Sequence, residues 1–320
     1  MLVLDAGSAN ELFAAACAAV CAEGRRVAPR GIPTVEVLGA HLCLRDPRRR
    51  LVDLPPARIL NPAFAVAETV WILSGSDAPW IYLYNQRLVD YTDNGRLLGA
   101  YGPRLRRWRG VTGEQVDQLD QVRRVLLQDR DSRRAVVHLF DPARDFGGHK
   151  DVPCTLGYRF YVRGGRLDMH TTMRSQDLWL GFCYDLFAAT VLQELLAGWL
   201  GVELGEYHHH IDSLHLYESR LPLAAGLPTV VPPGPAMRPL AVAWDDFDRL
   251  LARVLDDVPP LPAEWSELSE VLASYRAWKA GNRSLARAMT ADTDGVLARA
   301  LQRWYDHLDH NRAVAHAGGE

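Results

Sequence analysis

The chain has 320 residues, 48% of them hydrophobic, and a formal net charge of -3 at pH 7. A chain of this length and composition can bury a large core, which excludes disorder throughout. The small net charge excludes a general attraction to nucleic acid or to an anionic membrane, although small anions can still bind. Lysine occurs only at Lys150 and Lys279, so arginine carries the positive charge, which indicates a GC-rich genome.

Targeting and redox features of the sequence favour the cytoplasm. The five cysteines form an odd set without the spacing of a disulfide framework. The apolar run at residues 12–22 follows Asp5 and Glu11 rather than a basic region, so it does not resemble a signal peptide. No segment reaches the roughly 18 uninterrupted apolar residues of a membrane helix. We therefore expect a soluble cytoplasmic protein that binds neither membranes nor nucleic acid.

The first part of the chain alternates helix, strand and helix. Residues 11–24 have the apolar spacing of a helix, which places Cys17 and Cys21 on one face towards a core. Such thiols are more often buried small hydrophobes than a metal or redox pair. Residues 34–44 favour a strand, and residues 61–73 favour an apolar helix with Pro62 in its first turn.

The middle of the chain indicates paired strands against a buried helix. Residues 134–140 favour a strand, and residues 158–162 and 166–174 favour a hairpin around Arg163-Gly164-Gly165. Residues 184–200 are hydrophobic on all sides, which is typical of a central buried helix. We expect the sheet to pack on this helix.

The last third is different in composition. Residues 221–262 are rich in proline and predict a surface connection of short irregular pieces. Residues 265–308 predict two helices separated near Gly281-Asn282. The sequence thus predicts an α+β fold, with a main domain at residues 1–225. Residues 226–320 form the proline-rich connection and a helical C-terminal extension packed on the same domain.

Several short motifs follow one another between residues 153 and 217. An isolated cysteine such as Cys154 is more often packing than nucleophile, but a nearby arginine lowers a thiol pKa and favours the thiolate. Here Cys154 is followed by further motifs at regular spacing: Pro153-Cys154, Arg174-Ser175-Gln176-Asp177, Leu180-Gly181, Asp185 and His215-Leu216-Tyr217. At these residues the sequence resembles the thymidylate synthase family, whose pattern is Pro-Cys, Arg-Ser-x-Asp, Leu-Gly, Asn and His-x-Tyr.

The resemblance extends from about Arg30 to Arg220 and includes further matches: Arg30, Glu68 in Glu68-Thr69-Val70-Trp71, Tyr101-Gly102, and Asp131-Ser132-Arg133-Arg134. It implies a mixed β-sheet packed on a long buried helix. It also implies an obligate homodimer in which Arg133 and Arg134 reach the site of the second subunit.

The resemblance implies three groups of site residues. The catalytic group is Cys154, Glu68, Tyr101 and Asp185. The group that binds a pyrimidine nucleoside monophosphate is Arg30, Arg133, Arg134, Arg174, Ser175, Gln176, Asp177, His215 and Tyr217. The group that binds the co-substrate 5,10-methylenetetrahydrofolate is Arg58, Asp177, Leu180, Gly181 and Tyr184.

Elementary chemistry supports several of these roles. Clustered arginines match phosphate oxygens and favour the Cys154 thiolate. His215 and Tyr217 lie two apart on an extended segment, so both side chains point to one face, where the resemblance has them bond the sugar 3'-hydroxyl. Glu68 on an apolar helix is either a surface glutamate or a buried carboxyl with a raised pKa suited to proton transfer.

In the family mechanism the cysteine attacks C6 of the pyrimidine, and C5 then takes a methylene from the folate. Thymidylate synthases reduce the resulting exocyclic methylene, whereas their hydroxymethylase relatives add water to it.

Three departures of this sequence from the synthase pattern bear on the choice between the two reactions. Asp185 replaces the uracil-reading asparagine, and a carboxyl group fits cytosine better. Pro-Cys-His becomes Pro153-Cys154-Thr155, and the aromatic pair over the folate is at best Leu88 and Tyr91.

The end of the sequence also departs from the family. Synthases close the site with an Ala-Pro-Val-type tail, but residues 316–320 read His-Ala-Gly-Gly-Glu. Access of water to the methylene intermediate is then expected. The sequence therefore favours a cytidylate 5-hydroxymethylase, similar to the CMP hydroxymethylases of nucleoside-antibiotic pathways, with CMP preferred over the dCMP of phage relatives. The alternatives are a thymidylate synthase acting on dUMP and a catalytically silent nucleotide or folate binder.

Two other features receive structural interpretations. His208, His209 and His210 cannot all point one way on an extended segment, so they predict a polar loop or strand entering the sugar site and no metal. Cys183 is expected to be a pocket-wall residue rather than a second nucleophile.

Overall fold

A computed structural model describes residues 1–110, 112–291 and 293–317 of the chain, with side chains described up to residue 314. Ten strands are present in this part: β1 (Leu2–Ala6), β2 (Arg25–Val27), β3 (Thr34–Leu44), β4 (Trp108–Arg109), β5 (Gln115–Val116), β6 (Val136–His138), β7 (Thr155–Arg163), β8 (Arg166–Met173), β9 (Gln176–Asp177) and β10 (Glu203–Tyr217). They alternate with eleven α-helices: α1 (Ala9–Glu23), α2 (Pro62–Leu73), α3 (Tyr101–Arg106), α4 (Gln118–Gln128), α5 (Pro142–Asp145), α6 (Phe182–Leu200), α7 (Leu221–Ala225), α8 (Phe247–Asp256), α9 (Ala263–Lys279), α10 (Arg283–Ala291) and α11 (Val296–Ala317).

The main sheet is mixed, as the sequence predicted. Its order is β1-β3-β10-β8-β7-β6, with β2 added to β3 and β9 to β10, while β4 and β5 form a separate pair. Strand β10 runs antiparallel to β3 and parallel to β8. The predicted hairpin is confirmed, since Arg163 of β7 pairs with Arg166 of β8 around Gly164 and Gly165. These two glycines have φ of 55° and 77°. Two-residue β-hairpin turns favour such positive φ values at their central residues, which glycine adopts readily.

Helix α6 is the predicted central buried helix. Two of its buried polar residues, Gln193 and Glu194, are explained by tertiary partners. The amide of Gln193 donates to the carbonyls of Leu167 (2.9 Å) and Glu206 (3.0 Å) in the sheet. The buried carboxylate of Glu194 accepts from Arg48 at 2.6 Å and also pairs with the buried Arg50. Removing one partner of such a buried pair is strongly destabilising, because a charge is left without compensation.

The predicted strand at residues 34–44 and the predicted helix at residues 61–73 are confirmed. Helix α2 begins after Asn61, whose side chain accepts the N–H of Phe64 at 3.2 Å, and Pro62 fills the first turn. Nearly every residue of α2 is buried, and Glu68 is half-buried among them. No helix in the described part of the chain is long and apolar enough to cross a membrane.

Some local predictions were wrong. Cys17 is buried but Cys21 is exposed, because the last turn of α1 runs past the core and residues 22 and 23 are exposed too. The strand predicted at residues 134–140 shortens to Val136–His138, because Arg134 is held in a turn by Ser132 Oγ at 3.3 Å. Strands β1 and β2 were not predicted, although β1 pairs in parallel with β3.

The C-terminal region holds more helices than predicted. The proline-rich connection contains the ten-residue helix α8, and the two helices predicted at residues 265–308 are three. The third begins where Glu267 of α9 accepts the N–H groups of Leu297 (2.6 Å) and Ala298 (3.2 Å). A tertiary cap of this kind leaves no local signal in the sequence. One apolar core includes side chains from both sides of residue 225.

Candidate active site

The hairpin of β7 and β8 brings Cys154 and Arg174 together, because Cys154 directly precedes β7 and Arg174 directly follows β8. The backbone N–H of Arg174 donates to the Cys154 carbonyl at 2.9 Å. The Arg174 guanidinium lies 3.7 Å from Cys154 Sγ and donates to the carbonyls of Pro153 and Val152, both at 2.9 Å. The loop that carries the thiol is therefore fixed by the arginine beside it.

The thiol is shielded, and its acidity reflects competing effects. Burial raises the pKa of Cys154 above its ordinary value. Arg174 and Arg30 oppose this rise, while the carboxyl groups of Asp185 and Asp151 add to it. The two arginines therefore favour the thiolate, as expected, but the cost of burying the charge is larger, so the net pKa of Cys154 is raised.

Asp185 lies in the first turn of α6 and is held by Gln176. The Gln176 amide Nε2 donates to Asp185 Oδ2 at 2.9 Å, and burial raises the pKa of Asp185 to about 6. Gln176 is buried, and its Oε1 has no hydrogen-bond partner in the described part of the chain. Gly181 is needed beside this pair, because a Cβ there would come within 2.9 Å of Gln176 Nε2 and 3.2 Å of Asp185 Oδ2.

Glu68 and Tyr101 complete a group of acids around the thiol. Burial raises the pKa of Glu68 well above its usual value, and the neighbouring carboxyl of Asp185 raises it further. The Tyr101 hydroxyl accepts the backbone N–H of Thr155 at 3.1 Å, which ties α3 to the residue after the nucleophile. Burial, Asp185 and Cys154 all raise the pKa of Tyr101. The structure thus brings the four residues of the expected catalytic group together.

The expected sugar-binding residues form one wall of the same site. The rings of His215 and Tyr217 share a face of β10, with centroids 5.6 Å apart. Asp177 lies opposite His215 in the pairing of β9 with β10. The Oδ1 atom of Asp177 accepts the N–H groups of Trp179 (2.7 Å) and Leu180 (3.0 Å), so one carboxylate oxygen is engaged in a local turn.

The arginines expected to bind phosphate fall into two groups. Arg30 is exposed in a loop with φ of 55°, and its charge lowers the pKa of both Cys154 and Tyr217, so it faces the site. Ser175 is half-buried next to Arg174. Arg133 and Arg134 are exposed ahead of β6, and their side chains form no hydrogen bond or ion pair with the residues that the structure describes. The chain does not bring these last two into its own site.

The expected folate residues border the nucleotide site. Arg58 donates to the carbonyls of Trp179 (2.8 Å) and Ile59 (3.0 Å), and its guanidinium lies 5.2 Å from the centroid of the Trp179 ring. Its buried Nε has no partner among the described residues. Tyr184 stands edge-on to Phe64, with ring centroids 4.6 Å apart.

The opening on this side is apolar. Leu180 is 38% exposed and Tyr91 is 46% exposed, and Leu88 and Tyr91 share the 3-10 helix Gln86–Tyr91. Exposed apolar and aromatic side chains of this kind suit the face of a flat ring such as a pterin.

Two site residues were missed by sequence reasoning. The carboxyl of Asp151 accepts the N–H of Gly99 at 3.0 Å, and it raises the pKa of Cys154. Tyr158 points inward from β7, and its neighbours Asp185 and Glu68 raise its pKa after burial. The position of Asp151 just before Pro153-Cys154, and the alternation of β7, were the signals that could have found them.

The structure also locates the histidine triplet and Cys183. His208, His209 and His210 lie on β10 and alternate, so that His209 is buried while the other two are half-buried. Cys183 is fully buried on α6. The expectation about the chain end concerns residues 316–320, which lie outside the described side chains.

Comparisons with known proteins agree with this geometry. The sequence profile described as thymidylate synthase matches residues 11–230. The deoxyuridylate hydroxymethyltransferase of Bacillus phage SP01 is 35% identical over 227 residues, which cover 68% of this chain and 59% of that protein. The one of Pseudomonas phage M6 is 33% identical over 218 residues, 66% of this chain and 59% of that protein. The thymidylate synthase of Bacillus licheniformis is 35% identical over 162 residues, 48% of this chain and 56% of that protein. The matched region thus spans less than two thirds of each of these relatives.

Proposed function

The chain belongs to the thymidylate synthase family, and we propose that it transfers a one-carbon unit from 5,10-methylenetetrahydrofolate to C5 of cytidylate, giving the 5-hydroxymethyl nucleotide. The observation that carries the choice of base is the carboxyl of Asp185, half-buried near Cys154 and held by Gln176. The folate supplies the carbon at the oxidation level of formaldehyde.

Cys154 is the nucleophile that adds to C6 of the pyrimidine. The guanidinium of Arg174, 3.7 Å from Sγ, stabilises the attacking thiolate, and the phosphate of the substrate binds to the same arginine and to Arg30. His215 and Tyr217 present a ring nitrogen and a hydroxyl, respectively, to the sugar from one face of β10. This arrangement orients C6 towards the sulfur before bond formation.

Asp185 reads the base. In its acid form a carboxyl group offers one donor and one acceptor, which pair with N3 and the N4 amino group of cytosine. The pKa of about 6, against an ordinary value of 3.8, makes the acid form far more accessible near neutral pH, where it is roughly a tenth of the population. With uracil, an ionised carboxylate would place a hydrogen-bond acceptor against O4, which is also an acceptor. The polarity of this group therefore favours cytidylate; our choice of CMP over dCMP rests on the coding bias of the sequence and not on Asp185.

Glu68 handles protons and water at C5. Its raised pKa suits a group that gives and takes protons near neutral pH, and its position on α2 faces Asp185. After the folate leaves, the pyrimidine carries an exocyclic methylene, and water that Glu68 orders adds to it. The thiol of Cys154 is then expelled as the C5–C6 double bond forms again.

Arg58, Asp177, Leu180, Gly181 and Tyr184 would hold the folate. The exposed side chains of Leu180 and Tyr91 are the features of this chain that fit its pterin ring. Arg133 and Arg134, which are exposed and reach no site residue of their own chain, would complete the phosphate site of a second copy in a homodimer.

Deoxyuridylate is the second candidate substrate, because the phage relatives are named deoxyuridylate hydroxymethyltransferases. A protonated Asp185 carboxyl can also donate to O4 of uracil, so the acid form accommodates this base too. Parallel assays with CMP, dCMP, UMP and dUMP in the presence of 5,10-methylenetetrahydrofolate test the proposal. We expect the 5-hydroxymethyl product from cytidylate at the highest catalytic efficiency. Higher efficiency with dUMP would replace cytidylate by deoxyuridylate, a 5-methyl product would indicate a thymidylate synthase, and binding without turnover would indicate a silent binder.

A further inference from the structure

The sheet has a histidine-rich face opposite α6. His209 points to the α6 side, where its ring stacks on Phe182 with centroids 5.9 Å apart. The neighbouring residues of β10 alternate to the other side, where they meet histidines from β3 and β8. The half-buried members of this face are His41, His170, His208 and His210. None of them takes part in the reaction proposed above.

One end of this face carries three different metal-ligating groups. Cys43 of β3 lies directly opposite His208 of β10 in the strand pairing, and Glu206 precedes His208 by two residues, so all three point the same way. Cys43 Sγ lies 3.7 Å from Glu206 Oε2, and His208 Nε2 lies 3.8 Å from the same oxygen. The three ligand atoms are all within 4.8 Å of one another.

The two separations from Glu206 Oε2, 3.7 and 3.8 Å, are close to those of a tetrahedral site. With metal–ligand distances of about 2.0 to 2.3 Å, neighbouring ligands of a tetrahedral zinc site are about 3.3 to 3.8 Å apart. We infer that Cys43, Glu206 and His208 form a binding site for a zinc-class divalent cation. A thiolate with an imidazole and a carboxylate favours Zn²⁺ or Co²⁺ over Mg²⁺ or Ca²⁺, which prefer oxygen ligands alone.

The surroundings orient the ligands for this task. His41 Nε2 lies 3.3 Å from His208 Nδ1, so the Nδ1–H of His208 can donate to His41 while its Nε2 faces the other two ligands. Such an outer partner fixes the ring and its tautomer in metal sites. Cys43 is buried, but the Glu206 side chain is 47% exposed, which provides an entry path. Asp5 also hydrogen-bonds the Cys43 thiol, but its carboxylate is paired with Arg45 at 2.5 Å, so we assign the fourth position to water.

The inferred cation has a structural role. It would join β3 to β10, two central strands of the sheet, and β10 carries His215 and Tyr217 further along. The proposed reaction has no step for a metal, so binding should change stability much more than chemistry. Only one residue of the histidine triplet is a ligand. Binding replaces the S–H bond of Cys43 with a sulfur–metal bond, and the proton goes to solvent.

Cobalt titration of the chelator-treated, full-length chain under a non-thiol reductant tests this inference. We expect one Co²⁺ per chain and a thiolate-to-cobalt charge-transfer band, with displacement by Zn²⁺. Cys43→Ser should abolish the band, and His208→Gln should weaken affinity by about 100-fold or more. His41→Gln should weaken it by about 10-fold, because it orients a ligand. Cys21→Ser and His138→Gln are matched controls, since both residues are exposed and lie elsewhere.

Two further measurements separate this site from other thiols and histidines. The band should persist in Cys154→Ser, which excludes the nucleophile as the ligand. Zinc at about 100 times its Kd should raise the Tm by about 4 °C in the chain with Cys43, and should not do so in Cys43→Ser. A band or a Zn²⁺ affinity that Cys43→Ser leaves equal to that of Cys21→Ser would overturn the inference. Binding without a thiolate band would also overturn it, because the histidine face alone would then be the site.

Discussion

Asp185→Asn is the substitution that most sharply probes how the base is recognised. Gln176 Nε2 donates to Asp185 Oδ2 at 2.9 Å, so in the variant the amide oxygen takes the Oδ2 position and the amide nitrogen faces the base. The amide nitrogen is a donor only. It can donate to O4 of uracil, but at the N4 amino group of cytosine two donors would face each other. The variant should therefore lose efficiency with cytidylate and gain it with uridylate.

The size of the change follows from the polar groups involved. A polar group left unpaired in a closed pocket costs about 1 to 3 kcal/mol. Asp185→Asn removes one such unpaired group when uracil is bound and creates one when cytosine is bound. The two effects add to at least about 2 kcal/mol in the ratio of efficiencies. Since about 1.4 kcal/mol is tenfold, the ratio of kcat/KM for cytidylate to uridylate should fall by at least about 30-fold.

The assay compares kcat/KM for CMP and UMP, and for dCMP and dUMP, in both proteins. Asp151→Asn is a matched control, because Asp151 is another carboxyl near Cys154 but its oxygen binds the backbone of Gly99. It should change overall turnover without changing the ratio. An unchanged ratio in Asp185→Asn in both sugar series, or an equal change in Asp151→Asn, would refute the assignment of base recognition to Asp185.

Four further predictions concern the thiol, the proton relay, the subunit interface and stability. Cys154→Ser should abolish folate-dependent product while keeping nucleotide binding, whereas Cys183→Ser should retain turnover; equal loss in both would remove the nucleophile assignment. Glu68→Gln should lower kcat by about 100 to 10,000-fold with little change in nucleotide affinity, and near-normal turnover would make Glu68 structural. Mixing inactive Cys154→Ala and Arg134→Ala chains should restore part of the activity through one intact hybrid site, and no recovery despite subunit exchange would contradict a shared site. Because burial raises the pKa of Asp185 from 3.8 to about 6, the folded chain holds a proton that the unfolded chain has lost, and stability falls as pH rises through this window. Asp185→Asn should thus raise the Tm by about 2 to 4 °C near pH 8 but not near pH 4, as thermal unfolding would reveal, and an equal shift at both pH values would contradict a raised pKa.

The sequence predicted the elements whose signals are local. Thr34–Leu44, the hairpin around Gly164 and Gly165, and the buried helix α6 follow from alternation, turn residues and continuous hydrophobicity. The spacing from Cys154 to Tyr217 indicated the family before any geometry was known, because the motif residues keep their chemistry and their order.

Features set by tertiary contacts could not be predicted. The start of α11 depends on Glu267 from another helix, and the exposure of Cys21 depends on how far along α1 the core extends. The raised pKa of Cys154 depends on how deeply the loop is buried against Asp185 and Asp151. The proximity of Cys43, Glu206 and His208 arises from strand register, which joins residues more than 160 positions apart. Such pairings become visible only when the strands are placed side by side.

The central claim is one-carbon transfer to C5 with addition of water. Its most direct test is one reaction of the wild-type chain with CMP and 5,10-methylenetetrahydrofolate in oxygen-labelled water, with the nucleotide and the folate both identified by mass spectrometry. We predict 5-hydroxymethylcytidylate that carries one labelled oxygen, together with an equal amount of tetrahydrofolate. A 5-methyl nucleotide formed with dihydrofolate, or a nucleotide unchanged at C5 under conditions in which both substrates bind, would contradict the account.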